Sequence, residues 1–211
     1  WRHLTNGAVR HSVTVADGRV YALSVAGEIL ALDACSGKLL FAKSMSGVAH
    51  WPFSSPAVSD GVLYVGTGDN LTAMDAKTGE RIWANHKMGS SWISCLTSPA
   101  VDRGRVLMGL NWSNGLYALN RRNGEVFWNA KKGFGTSHCT PAIADNRVYH
   151  AADGKLYALD NATSNIVWER ALHGGWTMSS PAISGDRVVA GGSDDYLYCL
   201  DAARGKDVCL T

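Results

Sequence analysis

The chain has 211 residues, with 20 Lys and Arg against 18 Asp and Glu, so no basic cluster along it asks for nucleic acid. Charged residues are only 18% while glycines number 23, a low-charge, turn-rich composition that points to an all-β protein with a sizeable core. No apolar run of about 18 residues is present, which excludes a helical membrane span.

Residues 1–9 read as an outer strand and a link. Trp1 stands 12 residues before Val13, much as Trp128 and Trp168 each stand 13 residues before Pro141 and Pro181. Five units follow, at about 10–50, 51–93, 94–136, 137–176 and 177–211. Each opens on one phrase: HSVTVADGRVYAL, SSPAVSDGVLYVG, TSPAVDRGRVLMG, CTPAIADNRVYHA and SSPAISGDRVVAG. Each closes on another: ALDACSGKLLF, AMDAKTGERIW, ALNRRNGEVFW, ALDNATSNIVW and CLDAARGKDVC. Asp33, Asp75, Asn120, Asp160 and Asp201 mark the second phrase at spacings of 42, 45, 40 and 41 residues.

Runs of four to six apolar or β-branched residues between Gly, Asp and Asn clusters predict four short strands per unit. In the second unit these are Ser55–Ser59, Val62–Thr67, Leu71–Asp75 and Glu80–Asn85. In the turn D-A-K-T-G the Asp side chain can accept backbone N–H bonds, and Gly79 can take positive φ. Gly37, Gly124 and Gly205 match it, whereas the fourth unit has Ser164-Asn165, with Asn165 expected to supply the left-handed residue. A four-stranded meander of this length cannot bury both faces alone. Radial stacking of such sheets buries them, which predicts a β-propeller of about five four-stranded antiparallel blades.

WD40 repeats share the length, but their Gly-His and Trp-Asp marks are missing. The phrase A-x-D-x-x-T-G-x-x-x-W resembles the tryptophan-docking repeat of the PQQ-like, or quinoprotein-like, propellers, over nearly the whole chain. The resemblance implies that Trp1, Phe41, Trp83, Trp128 and Trp168 dock between neighbouring blades, with Cys209 at the fifth position. It also implies a ring of seven or eight blades, of which this chain is expected to be a piece.

The turns are short and repetitive, while the links between units are richer: SGVAHWPFSSP, GSSWISCLTSP, GFGTSHCTP and HGGWTMSSP. In a propeller these links share one face with the loops between second and third strands. That places His50, Trp51, Asp69, Trp92, Asn111, Trp112, His138, Asp153, Trp176 and Asp194 on a candidate ligand face, with His173 beside them. Two readings stand: a ring of aromatic, His and carboxylate groups for a planar cofactor, sugar or peptide, or Trp side chains that plug the channel and seal gaps between blades. The repeating Ser54, Ser55, Ser179 and Ser180 read as backbone-bonding residues, not nucleophiles.

Within the resemblance, a PQQ-dependent dehydrogenase needs a vicinal Cys-Cys pair and a Ca²⁺ site of Glu, Asn and Asp. The five cysteines, at 35, 95, 139, 199 and 209, contain no such pair and no CxxC. Buried thiols are one reading of them, and a disulfide between Cys199 and Cys209 is another. No metal site is expected, and no cofactor except PQQ with Ca²⁺ under the enzyme reading. The function expected first is a non-catalytic module, secreted, periplasmic or at the cell surface, that binds or scaffolds a protein, peptide or glycan. A quinoprotein dehydrogenase and a self-assembling protein using strand exchange are the alternatives. Sequons stand at Asn70, Asn111 and Asn161.

Overall fold

A computed structural model describes residues 1–45, 54–67, 70–86, 88, 97–110, 115–130, 138–173 and 179–208. The chain is all-β. Blade 1 holds β1 (Thr14–Ala16), β2 (Arg19–Leu23), β3 (Glu28–Asp33) and β4 (Leu39–Ser44); blade 2 holds β5 (Ala57–Ser59), β6 (Val62–Thr67), β7 (Asn70–Asp75) and β8 (Arg81–Asn85). Blade 3 holds β9 (Ala100–Val101), β10 (Arg105–Gly109), β11 (Leu116–Asn120) and β12 (Val126–Ala130). Blade 4 holds β13 (Ala142–Ala144), β14 (Arg147–Ala152), β15 (Lys155–Asp160) and β16 (Ile166–Ala171). Blade 5 holds β17 (Ala182–Ser184), β18 (Arg187–Gly191) and β19 (Leu197–Asp201). Within each sheet the strands lie side by side in chain order and pair antiparallel.

The first strands of successive blades are neighbours: β1 with β5, β5 with β9, β9 with β13, and β13 with β17. Hydroxyls stitch this inner rim. Ser98 Oγ accepts the Ser55 N–H at 2.9 Å, Thr140 Oγ1 accepts that of Ser98 at 3.0 Å, and Ser180 Oγ accepts that of Thr140 at 3.0 Å. Each is the residue before the repeated Pro, so one small hydroxyl per unit satisfies a backbone donor of the blade before it.

The core lies between blades. Tyr64, Leu71 and Trp83 of blade 2 pack with Val106, Met108 and Leu119 of blade 3. Equivalent clusters join blade 1 to 2, blade 3 to 4, and blade 4 to 5. In blades 2, 3 and 4 each face of the sheet is therefore covered by a neighbouring sheet, as the unit length requires.

The turn chemistry recurs five times. The side-chain oxygen of Asp33, Asp75, Asn120, Asp160 and Asp201 accepts the N–H three residues on, or two on at Asn120, at 2.7–2.8 Å. The hydroxyls of Ser36 and Thr163, and then the turn's backbone N–H groups, hold the Asp33 and Asp160 carboxyls below the usual range, while at Asp75 the Thr78 backbone N–H does most.

Several sequence expectations are corrected. β5 begins at Ala57 rather than Ser55, because Pro56 has no N–H to offer a ladder. β8 begins at Arg81, one residue after the expected Glu80. Residues 1–5 pair with no strand among the described residues. In blade 5 a fourth strand is reduced, among the described residues, to the single bridge Leu200–Asp207. In the fourth unit Ser164, not Asn165, takes the left-handed conformation, at φ 62°, because it occupies the place of the repeat's glycine. Cys209 lies outside the described residues, so its pairing with Cys199 does too; Cys35 and Cys139 are free thiols. Asn70 and Asn161 are buried, and each is hydrogen-bonded to a neighbouring side chain, His86 and Asp102 respectively, which leaves those two sequons inaccessible in the folded chain.

Candidate functional site

Docking geometry recurs around the blades. Trp83 of blade 2 donates its indole N–H to the Arg121 carbonyl of blade 3 at 3.0 Å, and its ring lies where a Cβ on Gly124 would fall 2.4 Å from it. Trp128 donates to the Asn161 carbonyl at 2.9 Å, and Trp168 to that of Ala202 at 3.0 Å. Trp1 does the same to Ala34 at 3.0 Å over Gly37, although residues 1–5 pair with no described strand. Phe41 has no such donor. There Tyr21, from β2 of the same blade, donates its hydroxyl to the equivalent Ala76 carbonyl at 2.8 Å.

Of the ten residues expected on the ligand face, His50, Trp51, Asp69, Trp92, Asn111, Trp112 and Trp176 lie outside the described residues. His138 sits half-buried beside Cys139, and burial lowers its pKa. Asp153 is exposed at φ 48° in a tight turn with Gly154 at φ 70°. Asp194 lies in the longer loop between β18 and β19.

Only Asp194 stands in a described groove, of about 510 Å³, along the outer part of blade 5. The Tyr198 hydroxyl donates to Asp194 Oδ2 at 2.5 Å and accepts the His173 backbone N–H at 3.2 Å. This short bond lowers the Asp194 pKa and raises that of Tyr198. The pair is therefore an ionised acceptor and a protonated phenol at neutral pH. Tyr196, 69% exposed, stands beside Tyr198 with ring centroids 6.5 Å apart. Arg170 grips Asp207 with two bonds, at 3.0 and 2.7 Å, on the other wall. Tyr faces with fixed hydrogen-bonding groups suit a sugar or peptide surface. The sequence reading took Asp194 and His173 but missed Tyr196 and Tyr198. The signal was DDYLYC, where this loop departs from the shorter Asp153-Gly154 turn of the preceding unit.

The described residues do not fit a quinone with its Ca²⁺. Cys35 is exposed in the turn after β3, Cys139 is buried before β13 and Cys199 lies within β19, so no two adjoin. No three His, Cys, Asp or Glu among the described residues are grouped to hold a metal ion.

A family model described as outer membrane protein assembly factor BamB, of the PQQ repeat class, matches residues 1–208. The chain belongs to the PQQ-like repeat family. BamB of Moranella endobia is 31% identical over 112 residues, half of this chain and 27% of that protein. A quinoprotein ethanol dehydrogenase of Pseudomonas putida is 33% identical over 110 residues, 49% of this chain and 17% of that protein. The crystal structure of BamB from Moraxella catarrhalis superposes with a TM-score of 0.76 at 18% identity, covering 99% of this chain and 66% of that one. The chain thus spans about a quarter or less of the length of these curated PQQ-like relatives. The propeller architecture is common to them, and enzymes and an assembly factor share it.

Proposed function

We propose that this PQQ-like propeller is a non-catalytic binding or scaffolding module, acting outside the cytoplasm on a protein, peptide or glycan. The observation that carries this reading is the use of the repeated polar groups. The turn carboxylates cap backbone, the rim hydroxyls join blades and the indoles dock on carbonyls, so the recurring chemistry belongs to the fold. Among the described residues, what remains at the surface is non-repeating, as in the Asp194–Tyr198 groove, which offers aromatic faces and hydrogen bonds. A match to an assembly-factor model along residues 1–208 supports the same reading.

A titration with PQQ and Ca²⁺, followed by quinone absorbance, tests it against the enzyme alternative; stoichiometric uptake would overturn it. A peptide and glycan array on the folded chain is expected to return a defined set of binders, and an array without any would count equally against it.

A further inference from the structure

In a repeat protein each blade is a control for the others. The turns at one pole, between first and second and between third and fourth strands, follow a common pattern in blades 1, 2, 4 and 5. Blade 3 breaks it twice. Arg103 stands where blades 1, 2 and 4 have Asp17, Asp60 and Asp145 and blade 5 has Gly185. Arg121-Arg122 stands where the others have Ala34-Cys35, Ala76-Lys77, Asn161-Ala162 and Ala202-Ala203. The two turns are 18 positions apart in the chain, so no basic run is visible in the sequence. A backbone bond from Arg121 N–H to the Gly104 carbonyl, 3.1 Å, holds the two turns together in space.

One of these arginines is consumed by the fold. Arg121 is largely buried, pairs with Asp60 at 2.7 Å and donates to Tyr64 Oη at 3.0 Å and to the Ser59 carbonyl at 2.8 Å. Arg103 and Arg122 are not. Both are exposed, and among the described residues no carboxylate lies within ion-pair distance of either. They line a groove of about 590 Å³ between blades 2 and 3, together with Ile82, Phe127 and the Asp60 carboxylate that Arg121 neutralises. Those two side chains are 52% and 50% exposed, and the Arg105 guanidinium lies 5.1 Å from the Phe127 ring centroid. Two unpaired guanidinium groups beside two half-open apolar side chains favour a ligand carrying carboxylates and apolar groups alternately. A small inorganic anion would satisfy the charges and leave Ile82 and Phe127 in water.

We infer that this groove docks an extended acidic peptide segment of a partner protein, its carboxylates on Arg103 and Arg122 and an apolar side chain against Ile82 and Phe127. The inference rests on the binding-module reading and names the partner's chemistry.

The probe is a short fluorescein-labelled peptide alternating Glu with Leu, followed by anisotropy on the full chain. Binding is expected to weaken as salt is raised and to fall about tenfold or more in R103E/R122E, with a smaller loss in R103Q/R122Q. R204E, half that charge change at an exposed position of the same pole on blade 5, is expected to bind as the parent does. Thermal melts should be alike for all four proteins, since neither guanidinium makes a hydrogen bond or ion pair among the described residues. Equal loss in R204E, or no loss in R103E/R122E, would overturn the inference. So would equal binding of a Glu-Ser peptide, which would mark a plain anion patch, or tighter binding of duplex DNA through the same arginines. Array binders that ignore R103E/R122E would refute this groove and leave the module reading standing. An array with no binder would refute both.

Discussion

The indole of Trp83 lies on Gly124 of the next blade, where a Cβ would stand 2.4 Å from the ring, and its N–H bonds the Arg121 carbonyl three residues earlier. Gly124 has φ 74°, so it is needed both for its backbone and for the space above it. Gly61 has the same φ of 74°, yet a Cβ there would meet nothing within 4 Å. Gly61→Ala is expected to cost about 1 kcal/mol, the conformational part alone, and Gly124→Ala about 2–4 kcal/mol because overpacking adds to it. Urea denaturation of the two variants measures the difference; equal losses would mean that the indole gives way freely.

Tyr21 and Tyr149 hold equivalent places but differ in redundancy. Tyr21 substitutes for the indole that Phe41 lacks and donates to the Ala76 carbonyl. The Ala202 carbonyl accepts from Tyr149 at 3.0 Å, but also from Trp168 and Arg147. Tyr21→Phe should therefore cost about 1–3 kcal/mol, the penalty of a buried acceptor left without its donor, and Tyr149→Phe about 1 kcal/mol or less. Chemical denaturation of both reads the contrast directly.

His150 is fully buried in the second strand of blade 4, and desolvation lowers its pKa from 6.5 to about 4. Between those values the unfolded chain takes up a proton that the folded chain excludes. Stability is thus expected to fall as pH drops from 6.5 toward 4, by about 3 kcal/mol in all. The turn carboxylates Asp33, Asp75 and Asp160, whose pKa values are lowered, add their loss below that window. His150→Leu should flatten the profile of denaturation midpoint against pH between 6.5 and 4 and leave the steeper fall at lower pH.

Cys139 is buried and its thiol is pushed up to about 12, whereas Cys35 is exposed in a turn. Thiolate is the reactive form, so iodoacetamide at neutral pH should label Cys35 and spare Cys139 until the chain is unfolded. Peptide mapping by mass spectrometry distinguishes the two sites. Rapid native labelling of Cys139 would mean that blade 4 opens far more readily than its packing implies.

The sequence by itself determined the repeat, the strand order within each blade and the positions of the docking aromatics. These are local matters: strand and turn grammar, and an Asp or Gly at a fixed place in a turn, act within a dozen residues. The left-handed residue of the fourth unit was misplaced by one because Asn tolerates that conformation better than Ser, while the register of the repeat puts Ser164 there. Much of the expected ligand face falls in links whose placement is not described, and of the rest only Asp194 enters a described groove. Only the tertiary structure decided which polar groups meet between blades. Tyr21 reaches Ala76 across 55 residues, and Arg103 and Arg122 share a groove with Ile82 of another blade. Those encounters depend on how sheets stack, and stacking is set by the summed packing of the interfaces rather than by any one repeat.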